Sequence, residues 1–188
     1  MSKADDIILI GGSAGSYNLI VAIIESLPSY FLYAIVVIIH RNPKFTTRIE
    51  DTLAARLHRP IIQAGDKTIV SKNMIYFAVP GYHLLVEPDR TFSLDNSEQI
   101  QFSRPSIDVL FETAAETYGK RCTAFLLSGA NKDGTDGIRM VKKMGGNTFA
   151  QSPDEALMRT MPENAIRANQ EINILTDQEI ISYFRNLR

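Results

Sequence analysis

Short runs of consecutive apolar residues alternate along this chain with longer stretches whose apolar positions recur every three or four residues. The first pattern suits a strand buried on both faces, the second an amphipathic helix. Asp6–Ile10, Ala34–Ile39, Thr123–Leu127 and Asn147–Ala150 predict strands; Ser16–Leu27, Lys44–Leu57, Pro105–Tyr118 and Gly137–Met144 predict helices. In Lys44–Leu57, Phe45, Ile49, Leu53 and Leu57 share one face, with Pro43 and Pro60 as start and stop signals. Short helices over Glu155–Thr160 and Glu163–Ala168 follow, then a last helix to Leu187 capped at Thr176-Asp177. The middle differs. Ile61-Ile62, Met74–Val79, His83–Glu87 and Thr91–Leu94 are short pieces split by the turn signals Pro80-Gly81 and Pro88-Asp89, which predicts an antiparallel insertion. The expected fold class is α/β: a doubly wound, mostly parallel sheet flanked by helices, with a small antiparallel β insertion. Ligands of such sheets bind beyond the carboxyl ends of the strands.

Composition narrows the function. A chain of 188 residues with 45% hydrophobic and 22% charged residues suits one domain with a substantial core. Its net charge of −1 argues against general nucleic-acid or membrane-surface binding. The single cysteine, Cys122, excludes an internal disulfide and reads as a buried core residue in a reducing compartment. Met1–Asp6 lacks the order of a signal peptide, and the apolar run Phe31–Ile39 is too short to span a bilayer. A cytoplasmic protein without membrane insertion is expected. No Cys/His cluster has metal-ligand spacing, so no metal site is expected.

The chemistry gathers at predicted strand ends. Ile10-Gly11-Gly12-Ser13-Ala14-Gly15-Ser16 breaks a strand into a glycine turn and leads at once into a helix. Such a turn exposes a serine hydroxyl beside the free N–H groups of the helix start, a nucleophile next to oxyanion donors. His40 ends the second strand, and Asp133 lies in the glycine-rich loop after Thr123–Leu127. A serine needs a neutral, oriented imidazole to take its proton, and a carboxylate on the other ring nitrogen supplies that orientation. The residues alone leave alternatives open. Gly11–Ser16 also suits a phosphate-binding loop, although serines stand where the dinucleotide fingerprint needs glycine and no Walker lysine is present. His40 competes with His83, which lies in the insertion, while His58 reads as solvated. Asp136 suits a helix cap, and Asp108 an ordinary first-turn acid. In Ser103-Arg104-Pro105-Ser106, a helix start, Ser106 is expected inside the first turn and Ser103 or Arg104 nearer the cap; the functional reading turns Arg104 toward the cleft to meet an acidic substrate.

Together these strings resemble the catalytic domain of CheB-type chemotaxis receptor methylesterases. Ile10–Gly15, Ile39-His40-Arg41-Asn42-Pro43, Ala78–His83, Ser103–Asp108, Leu127–Gly134 and Met161-Pro162 occur in the family's order over nearly the whole chain. The resemblance implies a serine hydrolase that removes methyl groups from γ-glutamyl methyl esters of methyl-accepting chemotaxis receptors, with receptor glutamine deamidation as a related activity and no cofactor. It implies Ser13 as nucleophile, His40 as base, Asp133 as its orienting acid, and backbone oxyanion donors at Ala14 and Ala130. The chain departs from the family at Ala14-Gly15-Ser16, where threonine and two glycines are usual, and at Ala130-Asn131-Lys132, where Met-Gly-x is usual. Its catalytic strings start at Ile10, which leaves no room before them for the family's receiver domain. The expectation is a single catalytic domain over residues 1–188, either a stand-alone esterase or a piece of a longer polypeptide. The competing expectations are a non-catalytic module binding a nucleotide or phospho-ligand, and a degenerate esterase that retains receptor binding. Nothing in the sequence selects an oligomeric state.

Overall fold

The computed structural model describes residues 2–41 and 49–188. Among them, β1 (Ile7–Gly12), β2 (Ala34–Ile39), β3 (Ile61–Gln63), β4 (Met74–Phe77), β7 (Cys122–Leu126), β8 (Asn147–Gln151) and β9 (Asn173–Leu175) form one sheet in the order β3-β4-β2-β1-β7-β8-β9. Every pairing in it is parallel. β5 (His83–Val86) and β6 (Phe92–Asp95) make a separate antiparallel hairpin. The expected doubly wound sheet is present, but the insertion is smaller than the turn signals suggested. Ile61–Gln63 and Met74–Phe77 belong to the main sheet, in parallel, and only the β5–β6 hairpin is antiparallel. All four residues of β4 are buried, as in an interior parallel strand.

Alternation along the strands splits the core into two layers. Ile7 and Leu9 of β1, with Val36 and Ile38 of β2, face one side; Ile8, Ile10, Val37 and Ile39 face the other. The first layer is covered by α3 (Ile107–Tyr118), α4 (Thr135–Lys143) and α5 (Thr160–Ala168). The second is covered by α1 (Tyr17–Ser26), α2 (Ile49–Leu57) and α6 (Asp177–Arg185). The helix predicted over Lys44–Leu57 is observed from Ile49; Pro43 and Phe45 lie outside the described residues. Residues 155–159 form a turn and bends rather than a helix, and α5 begins at Thr160, just ahead of Pro162 in its first turn. Thr176 caps α6 in a reciprocal box with Glu179, as its position suggested. Cys122 is buried.

From β1 the chain passes to β2 beside it, on to the edge strand β3 and back to β4 between β3 and β2, then crosses to β7 on β1's other side. The switch point therefore lies between β1 and β7, where α/β sheets open a crevice at their carboxyl edge. Gly134 forms the bend that leads from this edge into α4. Its φ is +92°, and a Cβ there would stand 2.5 Å from Leu126 Cδ1 and 2.9 Å from Ile107 Cγ2. Gly134→Ala is expected to destabilise the fold by about 2–4 kcal/mol, from combined backbone strain and overpacking. That is a fall in Tm of about 5–15 °C in thermal denaturation.

Candidate active site

Gly12 of β1 pairs with Ile39 of β2, so Ser13 and His40 are the next residues past two adjacent strand ends. The His40 N–H donates to Gly12 C=O at 3.2 Å, and the Ser13 N–H donates to Ser128 C=O at 2.9 Å, beyond the end of β7. Ser13 is thus held between its neighbours on both sides. Ser16, fully buried, donates through Oγ to Ser13 C=O at 2.8 Å and closes the turn. The Ser13 hydroxyl makes no hydrogen bond among the described residues, nor do the N–H groups of Ala14 and Ala130.

Asp133 has no exposed surface. Its Oδ2 accepts from His40 Nε2 and from the Ile107 N–H, both at 2.8 Å. Its Oδ1 accepts from Ser106 Oγ at 2.8 Å and from the Asp108 N–H at 3.0 Å. Two of these donors are the first free N–H groups of α3, so the carboxylate fills a helix N-terminus that favours negative charge. Burial pushes the Asp133 carboxyl up, but the hydrogen bonds from His40, Ile107 and Asp108 outweigh it and hold the group below the usual range. Ser106 is the N-cap of α3, with extended backbone, rather than a first-turn residue; its hydroxyl goes to Asp133 instead of to its own helix.

With Nε2–H committed to Asp133, the lone pair of the neutral His40 ring is on Nδ1. The two nitrogens exchange the roles they have in the protease triad, where Nδ1 meets the aspartate. The His40 side chain is 14% exposed. Ser103 Oγ stands 3.5 Å from Nδ1 and accepts from Asn131 Nδ2 at 3.2 Å, while Asn131 Oδ1 accepts the Asp133 N–H at 3.2 Å. Asn131 joins His40, Asp133 and Ser103 in one polar ring. Ser103 and Asn131 were missed as site residues. The Ser103–Ser106 string had signalled a helix start, and nothing in its spacing marks contact with a loop 28 residues away.

The other candidates have structural partners. His83 is buried, its Nε2 donating to Glu98 C=O at 2.9 Å and its Nδ1 accepting the Ser106 N–H at 3.2 Å. His58 is exposed. Asp136 does not cap α4: Gly134 is the N-cap, and Asp136 pairs with Arg139 at 2.7 Å. Arg104 donates through Nη1 to the carbonyls of Asn96 and Ser97, at 2.7 and 2.6 Å, and braces the segment after β6.

Asp108 is more than a first-turn acid. It is 5% exposed, accepts the Gly137 N–H of α4 at 2.7 Å and receives Gln101 Nε2 at 3.1 Å. Burial pushes its carboxyl up to about 7, helped by the negative Asp133 and Asp136 and opposed by the Gly137 N–H. Between the ordinary aspartate range near pH 4 and about pH 7, the folded chain keeps a proton that the unfolded chain releases. The Asp108 contribution to stability therefore falls as pH rises through that window and is flat above it. Asp108→Asn keeps the acceptor for Gly137 and removes this penalty. Its Tm relative to wild type is expected to rise from pH 5 to pH 7 and then level off, read by circular dichroism.

A doubly wound α/β domain with an unpaired serine and a buried Asp–His pair at its switch point has the architecture and side-chain set of a serine hydrolase. The chain belongs to the CheB methylesterase family, whose model matches residues 8–184. A putative protein-glutamate methylesterase/protein-glutamine glutaminase of Leptospira interrogans is 38% identical over 180 residues, 96% of this chain and 93% of that protein. A protein-glutamate methylesterase/protein-glutamine glutaminase of Halobacterium salinarum is 34% identical over 163 residues, 85% of this chain but 47% of its own length. The crystal structure of the Thermotoga maritima CheB methylesterase catalytic domain superposes with a TM-score of 0.87 at 29% identity, covering 97% of this chain and all of that one.

Proposed function

We propose that this chain hydrolyses γ-glutamyl methyl esters of chemoreceptors, with Ser13 as nucleophile, His40 as general base and Asp133 as the group that orients it. The hydrogen bond between His40 Nε2 and the buried Asp133 carboxylate, at 2.8 Å, carries this reading, because it orients the ring and leaves Nδ1 as the nitrogen that can accept a proton. Nδ1 takes the hydroxyl proton as Ser13 Oγ attacks the ester carbonyl. The resulting imidazolium is stabilised by Asp133, and the oxyanion is received by the free N–H groups of Ala14 and Ala130. Methanol leaves with the proton from His40, and water activated by the same nitrogen releases the glutamate and regenerates Ser13. A side-chain amide can pass through the same tetrahedral intermediate, so receptor glutamine is a second substrate, with ammonia as leaving group. The steps call for no cofactor.

Family membership and the names of the relatives support the esterase reading over a nucleotide-binding module. Among the described residues, no helix is long and apolar enough to cross a membrane. The reaction implies work in the cytoplasm on receptor segments exposed there. The test is methanol release from a methylated receptor fragment, followed by gas chromatography. Release that scales with enzyme concentration is expected; its absence with every methylated receptor of the source organism would overturn the reading.

A further inference from the structure

The two most exposed large apolar side chains among the described residues, Phe102 at 97% and Leu157 at 77%, both belong to loops that build the site. Phe102 is at the tip of a two-residue turn closed by reciprocal backbone hydrogen bonds between Ile100 and Ser103, at 3.2 and 2.9 Å. Both tip residues, Gln101 and Phe102, have positive φ (49° and 64°), the conformation of a primed hairpin turn normally filled by Asn and Gly. An aromatic residue there is strained. The turn is also fastened on both sides of the ring: Gln101 donates to Asp108, and Ser103 joins Asn131 and stands next to His40 Nδ1. These bonds hold a fully exposed phenyl group, against the strain, one residue from a side chain that meets His40.

Leu157 stands over the nucleophile's turn. A Cβ at Gly15, where φ is +87°, would lie 2.6 Å from Leu157 Cβ. The loop carrying it is stitched to the other wall: the Met158 N–H donates to Ser128 Oγ at 2.9 Å, Ser128 Oγ donates to Ala14 C=O at 2.8 Å, and the Gly129 N–H donates to Met158 C=O at 3.0 Å. One apolar anchor therefore belongs to the base's side of the mouth and the other to the nucleophile's side.

We infer that Phe102 and Leu157 form a two-point apolar clamp for the helix surface that presents the esterified glutamate, and so set the preference for protein over small-molecule esters. The inference rests on the esterase reading above. A glutamyl side chain is only a few bonds long, so its helix must lie across this mouth when the ester reaches Ser13. An apolar position about one turn from the glutamate then meets one anchor. Exposed Lys132, in the loop between Ala130 and Asp133, suits the unesterified and anionic glutamates of such a helix.

The experiment compares turnover of two substrates by the full chain: a methylated helical receptor fragment, and N-acetyl glutamate γ-methyl ester amide. Phe102→Asn is the first variant, because asparagine tolerates positive φ and the turn is preserved; Leu157→Ser is the second. Each is expected to lower the ratio of kcat/KM for the fragment to that for the small ester by about tenfold or more, mainly through KM. An unchanged ratio in both variants, with wild type active on both substrates, would overturn the clamp and leave the esterase intact. Loss of a homodimer in sedimentation, with the ratio unchanged, would assign the rim to a second copy and also overturn it. No methanol from either substrate with wild type would remove the esterase reading, and the clamp with it.

Discussion

Replacing Ser13 by alanine is expected to lower methanol release from a methylated receptor fragment by at least about 10³-fold while leaving the fold unchanged. The hydroxyl makes no hydrogen bond among the described residues, so its removal strands no buried partner. The turn around it is held by backbone and by Ser16, which the substitution does not touch. Removal of the nucleophile of a triad leaves only the rate supplied by binding and the oxyanion donors. A thermal denaturation curve that overlays wild type within a degree or two, beside the lost turnover, would separate chemistry from stability. Turnover equal to wild type would exclude Ser13 as the attacking group. The same variant discriminates against a phosphate-binding loop, because backbone anion binding does not need the hydroxyl.

Asp133→Asn is expected to cost both activity and stability. The carboxylate accepts from four donors: the His40 ring, two α3 N–H groups and Ser106 Oγ. An asparagine offers one acceptor oxygen. If that oxygen keeps Ser106 and Asp108, its NH2 group faces the Ile107 N–H and His40 Nε2. The first contact strands a buried donor, at about 1–3 kcal/mol. The second drives the imidazole proton to Nδ1, so the nitrogen facing the nucleophile can no longer accept. A fall in kcat of about 10⁴-fold is the scale for this tautomer error. The pH dependence has a definite sign. The Asp133 carboxyl is held low in the fold, so its stabilisation is present above the ordinary aspartate range and is lost as pH falls through the folded-state value. The stability gap between wild type and Asp133→Asn should therefore narrow on acidification, in Tm measured from pH 7 downward. A variant with wild-type turnover would show that Asp133 does not set the tautomer of His40.

Asp108 and Asp133 divide one negative environment between them. Asp133 has the hydrogen-bond donors that keep it ionised, whereas Asp108 is buried with Asp133 and Asp136 as neighbours and is pushed toward its neutral form. Each also serves the other's element. Asp133, just before α4, accepts from the start of α3, and Asp108, in the first turn of α3, accepts the Gly137 N–H of α4. The carboxylate that meets His40 is thereby part of the packing of two helices.

The strands and helices were legible wherever burial forces a pattern on the residues. β1 and β2 are buried along their whole length, so their composition is continuously apolar. The helices α1, α3 and α4 cover the sheet with one face and show that face as a period in the sequence. Ser13, His40 and Asp133 could be grouped from sequence because each follows such a strand, and strand ends of a parallel sheet share one edge. Local signals missed β9 and gave β3 the wrong direction. Each has three residues, they are the two edges of the sheet, and neither is fully buried, so pattern had little to act on. The neighbouring turn signals marked breaks in the chain but said nothing of strand direction, which is why β3 and β4 read as part of a hairpin region. What only the tertiary structure decided is which groups meet across long separations. That set includes Asp133 on the α3 N-terminus, Nε2 rather than Nδ1 of His40 bound to Asp133, both nitrogens of His83 taken up by Glu98 and Ser106, and Asn131 linked to Ser103. A sequence records the periodicity of burial because water imposes it at every turn of a helix and every second residue of a strand; a hydrogen bond between loops depends on a few atoms brought together by the whole sheet, and leaves no period to read.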